Sequence, residues 1–285
     1  GRAVLVGPGD DCAVLGVGGE RLLVTVDQVR GGVHFLLAAH GPRLAGRKAL
    51  ARNLSDIAAM GGLPLAAVGS TAFPRGFPQE QAREIHAGVQ ALADEFACPL
   101  VGGDVGVWDG PLAITITVLG RCGQVEPVLR SGARAGDAIL VTGKLGGAWA
   151  SRRHLEFVPR VREGRILAER YCPHAMIDLS DGLASDLRHI CEESKLAAEL
   201  DAAAIPIHDD VAGSPTDRLY AALTDGEDYE LLFTLPPDRA DALQAARDLG
   251  VAVTRIGTMC EGEGITLAHA DGRCEPLTAK GWEHR

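Results

Sequence analysis

The chain repeatedly places an aspartate at the end of an apolar run or beside a glycine. Examples are "GPGDDCAVL" (Asp10, Asp11), "VTVDQV" (Asp27), "NLSDIAAMGG" (Asp56), "VGGDVG" (Asp104) and "MIDLSDGL" (Asp178, Asp181). In the last of these the nearest basic residue is Arg188. Carboxylates gathered at strand ends and helix starts repel each other unless a cation joins them. A fold that brings these strings together therefore has to hold a cation. The seven aspartates match seven of the ten net negative charges, so the acidity is concentrated in motifs.

Each string also has a plainer reading. Ser180 or Asp181 would cap a helix N-terminus, because their side-chain oxygens accept orphan N–H bonds. Asp56 would pair with Arg52 one turn earlier, in the weaker order for a helical ion pair, and "GPGDD" would be a turn. Asp27 ends an apolar strand without a local cation and needs a partner from elsewhere. All these readings would have to hold at once to dispose of the cation. Oxygen donors of this kind select Mg²⁺ on a phosphate enzyme, and the twelve-residue Ca²⁺ loop is absent.

The rest of the sequence sets the frame. At 285 residues and 46% apolar content the chain can bury two cores, so two domains are expected, 1–124 and 125–285. Strand alternation in "RLLVTVDQV" and "PLAITITVLG" brackets two helical patterns. The first puts Leu50, Leu54 and Ile57 on one stripe and stops at Gly61 and Gly62; the second aligns Ile85, Val89, Leu92 and Phe96. This predicts an α+β first half. "RCGQVEPVLRSGARAGD" reads as a connection, followed by strands at "AILVTG", "YELLFTL", "VTRIGTM" and "GITLAHA", with helices starting near Asp181 and Pro236. The second half is thus a mixed α/β domain.

Several function classes drop out. No Lys/Arg block tracks a nucleic-acid backbone, and the apolar runs fall short of a membrane span. Seven cysteines without a C-x-x-C pair fit reduced thiols rather than a disulfide framework or a zinc site. The N-terminus lacks the regions of a signal peptide, which makes the cytoplasm the expected location. The opening "GRAVLVGPGDD", without a start methionine, points to a missing N-terminal segment. The "GGD" and "GPGD" glycines suit loops whose N–H groups approach an anion. "GKLGG" lacks the spacing and the hydroxyl of a P-loop, and no protein-kinase, G-x-S-x-G or H-E-x-x-H signature is present.

"GDDCAVL", "VTVDQVRGGVHF", "KALARNLSDIAAMGG", "GGDVG", "RSGARAGDAILVTG", "IDLSDGLASDL", "DGEDYELLFT" and "GWEH" together resemble the ordered motif series of the thiamine-monophosphate kinase family. That family belongs to the superfamily of aminoimidazole ribonucleotide synthetase and selenophosphate synthetase. The resemblance runs from residue 7 to 284. It implies ATP-dependent phosphorylation of thiamine monophosphate to thiamine diphosphate by direct in-line transfer with several Mg²⁺ ions. It also implies an N-terminal α+β domain that pairs with a second subunit to close a barrel, followed by an α/β domain, hence a homodimer.

By the same resemblance, metal contacts fall on Asp11, Thr25, Val26, Asp27, Asp56, Asp104, Asp178 and Asp181, and ATP contacts on Gly103, Asp104, Arg130 and Ser180. Thiamine phosphate contacts fall on His34, Glu227 and Trp282, and transfer rests on Asp27, Asp56, Asp104 and Arg130. From the residues alone, His34 also reads as a partly buried histidine, Glu227 as a turn residue and Trp282 as core packing. The acceptor is a phosphate monoester already largely ionised at neutral pH, so no general base is needed.

Four features depart from the family pattern. Val26 replaces a threonine and leaves only its backbone for a metal, and Val105 replaces a threonine after "GGD". The segment 147–165 is short, and the chain ends "EHR" without the usual aromatic. These bear on ion number and efficiency. A weakened nucleotide or Mg²⁺ binding protein, or a kindred ATP-dependent synthetase, is the alternative on the same scaffold.

Overall fold

A computed structural model describes residues 3–278, so Trp282 lies outside the described residues. The chain forms two compact units. The first comprises 1–57, 62–124 and 155–161; the second comprises 58–61, 125–154 and 162–285.

In the first unit the order is β1 (Val4–Val6), β2 (Ala13–Val17), β3 (Glu20–Arg30), a single turn α1 (Leu37–His40), α2 (Pro42–Ala59), β4 (Leu63–Pro74), α3 (Gln79–Glu95), β5 (Leu100–Trp108) and β6 (Ala113–Arg121). They build a six-stranded sheet in the order β1-β2-β3-β6-β4-β5. Only β4 and β5 run parallel, as their α3 crossover requires. Alternate residues of β3 and β6, including Leu23, Val29, Ile114, Ile116 and Val118, are buried, as are Leu50, Leu54 and Ile57 of α2 and Ile85, Val89 and Leu92 of α3. The predicted stripes are therefore the buried faces of both helices, except that Phe96 is only part-buried and follows α3 as its C-cap.

The opposite face of the sheet leaves apolar side chains in solvent. Val26 of β3 and Val68 of β4 lie in one row, both registered on Thr117, and Val26 is 61% exposed. The "GGD" string is not in a loop as the glycines suggest; it lies inside β5, an edge strand. A Cβ on Gly103 would come within 2.0 Å of the Gly69 carbonyl oxygen on β4. The glycine is thus explained by close strand approach, which needs no anion.

The second unit contains β7 (Ala138–Thr142), α4 (Arg153–Glu156), α5 (Val161–Ile166), a π-helical turn (Leu167–Tyr171), β8 (Ala175–Asp178), α6 (Leu183–Ser194), β9 (Ala197–Asp201), α7 (Pro215–Thr224), β10 (Leu231–Leu235), α8 (Pro237–Ala246), β11 (Val253–Cys260), β12 (Ile265–Ala268) and β13 (Cys274–Pro276). Its seven strands take the order β13-β12-β9-β11-β7-β10-β8. Leu183, Leu187 and Ile190 of α6 join Ile139, Val141, Ile177, Leu200 and Leu232 in one core. The "YELLFTL" strand starts two residues later than its sequence suggests, at Leu231, because Tyr229 has a positive φ of 52°. All seven cysteines are free thiols. Among the described residues no helix is long and apolar enough to cross a membrane.

Candidate active site

In the first unit the acidic strings converge on the helix side of β3. Asp11 lies in the loop before β2, and a carboxylate oxygen of Asp11 lies within 4.8 Å of one from Asp56 on α2. The Thr25 hydroxyl on β3 donates to Asp56 Oδ2. Asp27, two residues along the same strand and therefore on the same face, takes both ends of the Arg52 guanidinium, Nε at 3.1 Å and Nη2 at 3.3 Å. Arg52 thus supplies the partner that Asp27 needs, from a neighbouring element. Two carboxylates and a hydroxyl at this spacing form an oxygen donor set that fits a hard divalent cation.

Asp104 is not brought to this cluster within one chain. The register runs from Asp27 to Ile116, from Ile116 to Gly69, and from Gly69 to Gly103. Asp104 is one residue beyond that row, on the opposite face and three strands away, roughly 14 Å at the usual strand spacing. His34 is buried in the turn after β3. Its Nδ1 accepts the Arg30 N–H at 3.0 Å, and its carbonyl accepts the Lys48 ammonium at 2.8 Å. The neutral ring therefore carries its proton on Nε2.

In the second unit "DLSDG" and "DGEDYE" are joined through their backbones. Leu179 N–H donates to the Glu230 carbonyl at 2.9 Å, Tyr229 N–H to the Leu179 carbonyl at 2.8 Å and Glu227 N–H to the Ser180 carbonyl at 2.8 Å. A Cβ on Gly226 would come within 2.5 Å of that Ser180 oxygen, so the approach depends on glycine. Glu227 and Tyr229 both sit at positive φ, 70° and 52°. Such strain persists only where the surroundings over-determine it, and here the three interloop bonds do so. Asp178, buried at the end of β8 and registered on Leu231 of β10, stands at the base of this corner.

The capping reading of Ser180 and Asp181 does not hold. The N-cap of α6 is Gly182, and no side chain caps it from that position. Asp186 performs that task instead, with its Oδ2 accepting the N–H groups of Asp181 and Gly182 at 3.1 Å each. Arg130 acts electrostatically on His189, as does Asp181. Burial first, and then the Arg130 and Arg188 charges, hold the His189 imidazole below its usual pKa.

The loop after β7 is tied to the same corner. Gly146 N–H donates to Asp228 Oδ2 at 2.9 Å and Gly147 N–H to Asp225 Oδ2 at 3.1 Å. Carboxylates thus occupy the "GKLGG" amides that a P-loop would offer to phosphate. Asp228 is buried, with Arg153 Nη1 3.7 Å away, and burial pushes its carboxyl up to about 7. Glu227 receives the Nδ1 of the fully buried His154 at 2.9 Å. Sequence reasoning missed His154, Asp186 and Asp228. A motif search sees Asp228 only as a letter of "DGEDYE", and His154 lies 73 positions from the carboxylate it holds.

Residues 9–122 match the family described as AIR synthase related protein, N-terminal domain, and residues 134–270 match its C-terminal domain. Thiamine-monophosphate kinase of Rhodopirellula baltica is 38% identical over 293 residues, covering 99% of this chain and 92% of that protein. The Escherichia coli K12 thiamine-monophosphate kinase is 36% identical with the same coverage. The solved structure of AaThiL complexed with AMPPCP and TMP superposes with a TM-score of 0.84 at 30% identity, covering 97% of this chain and 91% of the other.

Proposed function

Because the chain belongs to the thiamine-monophosphate kinases, within the AIR synthase related proteins, we propose that it uses the corner described above to convert thiamine monophosphate to thiamine diphosphate with ATP. The bond formed joins an acceptor phosphate oxygen to the γ-phosphorus, the bond broken is that between the γ-phosphorus and its bridging oxygen, and ADP leaves. The acceptor is ionised at neutral pH, so the chain needs no proton acceptor at the attacking oxygen. The observation that supports this reading is the 2.8 Å bond from Glu227 N–H to the Ser180 carbonyl, which joins the residue proposed to contact the acceptor to one proposed to contact the nucleotide.

The chain's own residues then divide the work. Arg130 and Ser180 of the second unit are the proposed nucleotide contacts, Arg130 adding positive charge where negative charge develops; Gly103 and Asp104 are assigned that role by family resemblance alone. His34 and Glu227 orient the acceptor, with Trp282 beyond the described residues. Asp11, Asp27, Asp56, the Thr25 hydroxyl and the Val26 backbone in the first unit, and separately Asp178 and Asp181 in the second, would hold Mg²⁺, which when bound neutralises the phosphates that repel each other, while Asp104 would serve as a metal ligand only through a second copy of the chain. Arg52 keeps Asp27 aimed along the face of β3. The two domains of this scheme are 1–124 and 125–285, and the cytoplasm is its setting. Incubation with ATP, Mg²⁺ and thiamine monophosphate should yield thiamine diphosphate; ATP left unconsumed in the presence of the acceptor would overturn the assignment.

The same reading includes a homodimer. β5 is a nine-residue edge strand with Val101, Val105 and Val107 exposed, Val105 by 70%. Long apolar edges of this kind are normally covered. A second copy pairing there would bury β5 together with the Val26 and Val68 face, and would give Asp104 a site to serve that its own Asp27 row does not offer. Sedimentation at micromolar concentration should give twice the chain mass, and Val105→Glu should give a monomer. A monomeric wild-type chain would exclude the arrangement.

A further inference from the structure

The segment 146–154, which overlaps the stretch 147–165 that departs from the family pattern, carries a half-exposed indole near Glu227. Trp149 is 42% exposed and lies on the His154 ring, with centroids 4.4 Å apart and planes 23° apart. His154 in turn holds Glu227 through Nδ1 at 2.9 Å. The backbone that presents Trp149 is anchored on both sides. Before it, the N–H groups of Gly146 and Gly147 are held by Asp228 and Asp225. After it, Ser151 Oγ donates to the Gly147 carbonyl at 2.9 Å, and Arg153 reaches the Gly146 carbonyl, Asp210 and Asp228. Carboxylates of "DGEDYE" thus hold the backbone before Trp149 and the Arg153 and His154 side chains after it.

We propose that Trp149 is a specificity-determining residue whose outward indole face stacks on the heteroaromatic part of the acceptor, with His154 as the positioning residue that aligns indole and Glu227. This deepens, and rests on, the reading of the chain as a kinase of thiamine monophosphate. The acceptor chemistry suits the surface, since a flat ring system with a cationic heterocycle gains both stacking and cation–π attraction on an indole.

The test separates acceptor binding from nucleotide binding. Trp149→Ala should raise KM for thiamine monophosphate about tenfold while KM for ATP and the melting temperature stay near wild type, and Trp149→Phe should restore most of the loss. Thiamine monophosphate should quench wild-type tryptophan fluorescence without ATP, and that quenching should shrink in Trp149→Phe to the share left by Trp282. An unchanged acceptor KM in Trp149→Ala, equal rises for both substrates, or quenching that is absent in wild type or undiminished in Trp149→Phe would each overturn the proposal. A wild-type protein that is quenched by thiamine monophosphate through Trp149 but forms no diphosphate would instead sink the kinase reading and leave the stacking platform standing.

Discussion

Asp56→Asn is expected to cut turnover of thiamine monophosphate by about a thousandfold while leaving the melting temperature close to wild type. The Thr25 hydroxyl donates to Asp56 Oδ2, and an amide oxygen accepts the same bond, so the local packing survives the exchange. What is lost is negative charge within 4.8 Å of Asp11, where the donor set fits a divalent cation. Arg52 is engaged by Asp27. Stopped assays at increasing Mg²⁺, run beside a thermal melt, check this. Near wild-type turnover at saturating Mg²⁺ would reduce Asp56 to a partner for Thr25 and remove the cation site from the first unit.

The double change Asp178→Asn, Asp181→Asn should be as damaging to transfer and equally mild for the fold. A helix-capping role would make the substitution harmless to activity, because asparagine caps about as well as aspartate. The structure removes that role, since Asp186 holds the N–H groups of Asp181 and Gly182. Asp178 is buried, so the exchange also relieves a desolvated charge. The variant should melt at or above the wild-type temperature without Mg²⁺, show no further stabilisation when Mg²⁺ and ATP are added, and turn over about a thousandfold more slowly. An active double variant with an unchanged Mg²⁺ response would show that the acidic corner has a purpose other than holding a cation.

Elements with a clean period are legible in the amino-acid order alone. The stripe of Leu50, Leu54 and Ile57 and the alternation of β6 each bury one face, and burial imposes that pattern directly. β4 and β5 are not legible in this way, because glycines, serine and small residues dilute the alternation of "LPLAAVGSTAFP" and "LVGGDVGVW". The glycine pair in β5 reads as an anion loop because the same residue serves close strand packing and phosphate approach, and only the position of Gly69 tells them apart.

The acids of the site are visible as letters, but their wiring is not. Arg52 reaches Asp27 across 25 positions, and Glu227 is joined to Ser180 through a backbone N–H, a group that almost every residue carries. Such bonds leave no signature in side-chain order. The capping role likewise falls to Asp186, four positions beyond the Gly182 N-cap, rather than to the nearer Ser180 or Asp181.

The division of the chain into units has a practical side. Residues 155–161 belong with the first unit although they follow residue 124, and residues 58–61 belong with the second although they precede it. Arg47 on α2 donates to the carbonyls of Leu155 and Phe157 at 3.0 and 2.7 Å, and burial already holds its guanidinium below the usual pKa. A fragment ending at residue 124 would strip that half-buried charge of both acceptors. No single scissor point yields two self-sufficient pieces, so shuffling halves between relatives has to carry the two short stretches across with their owners.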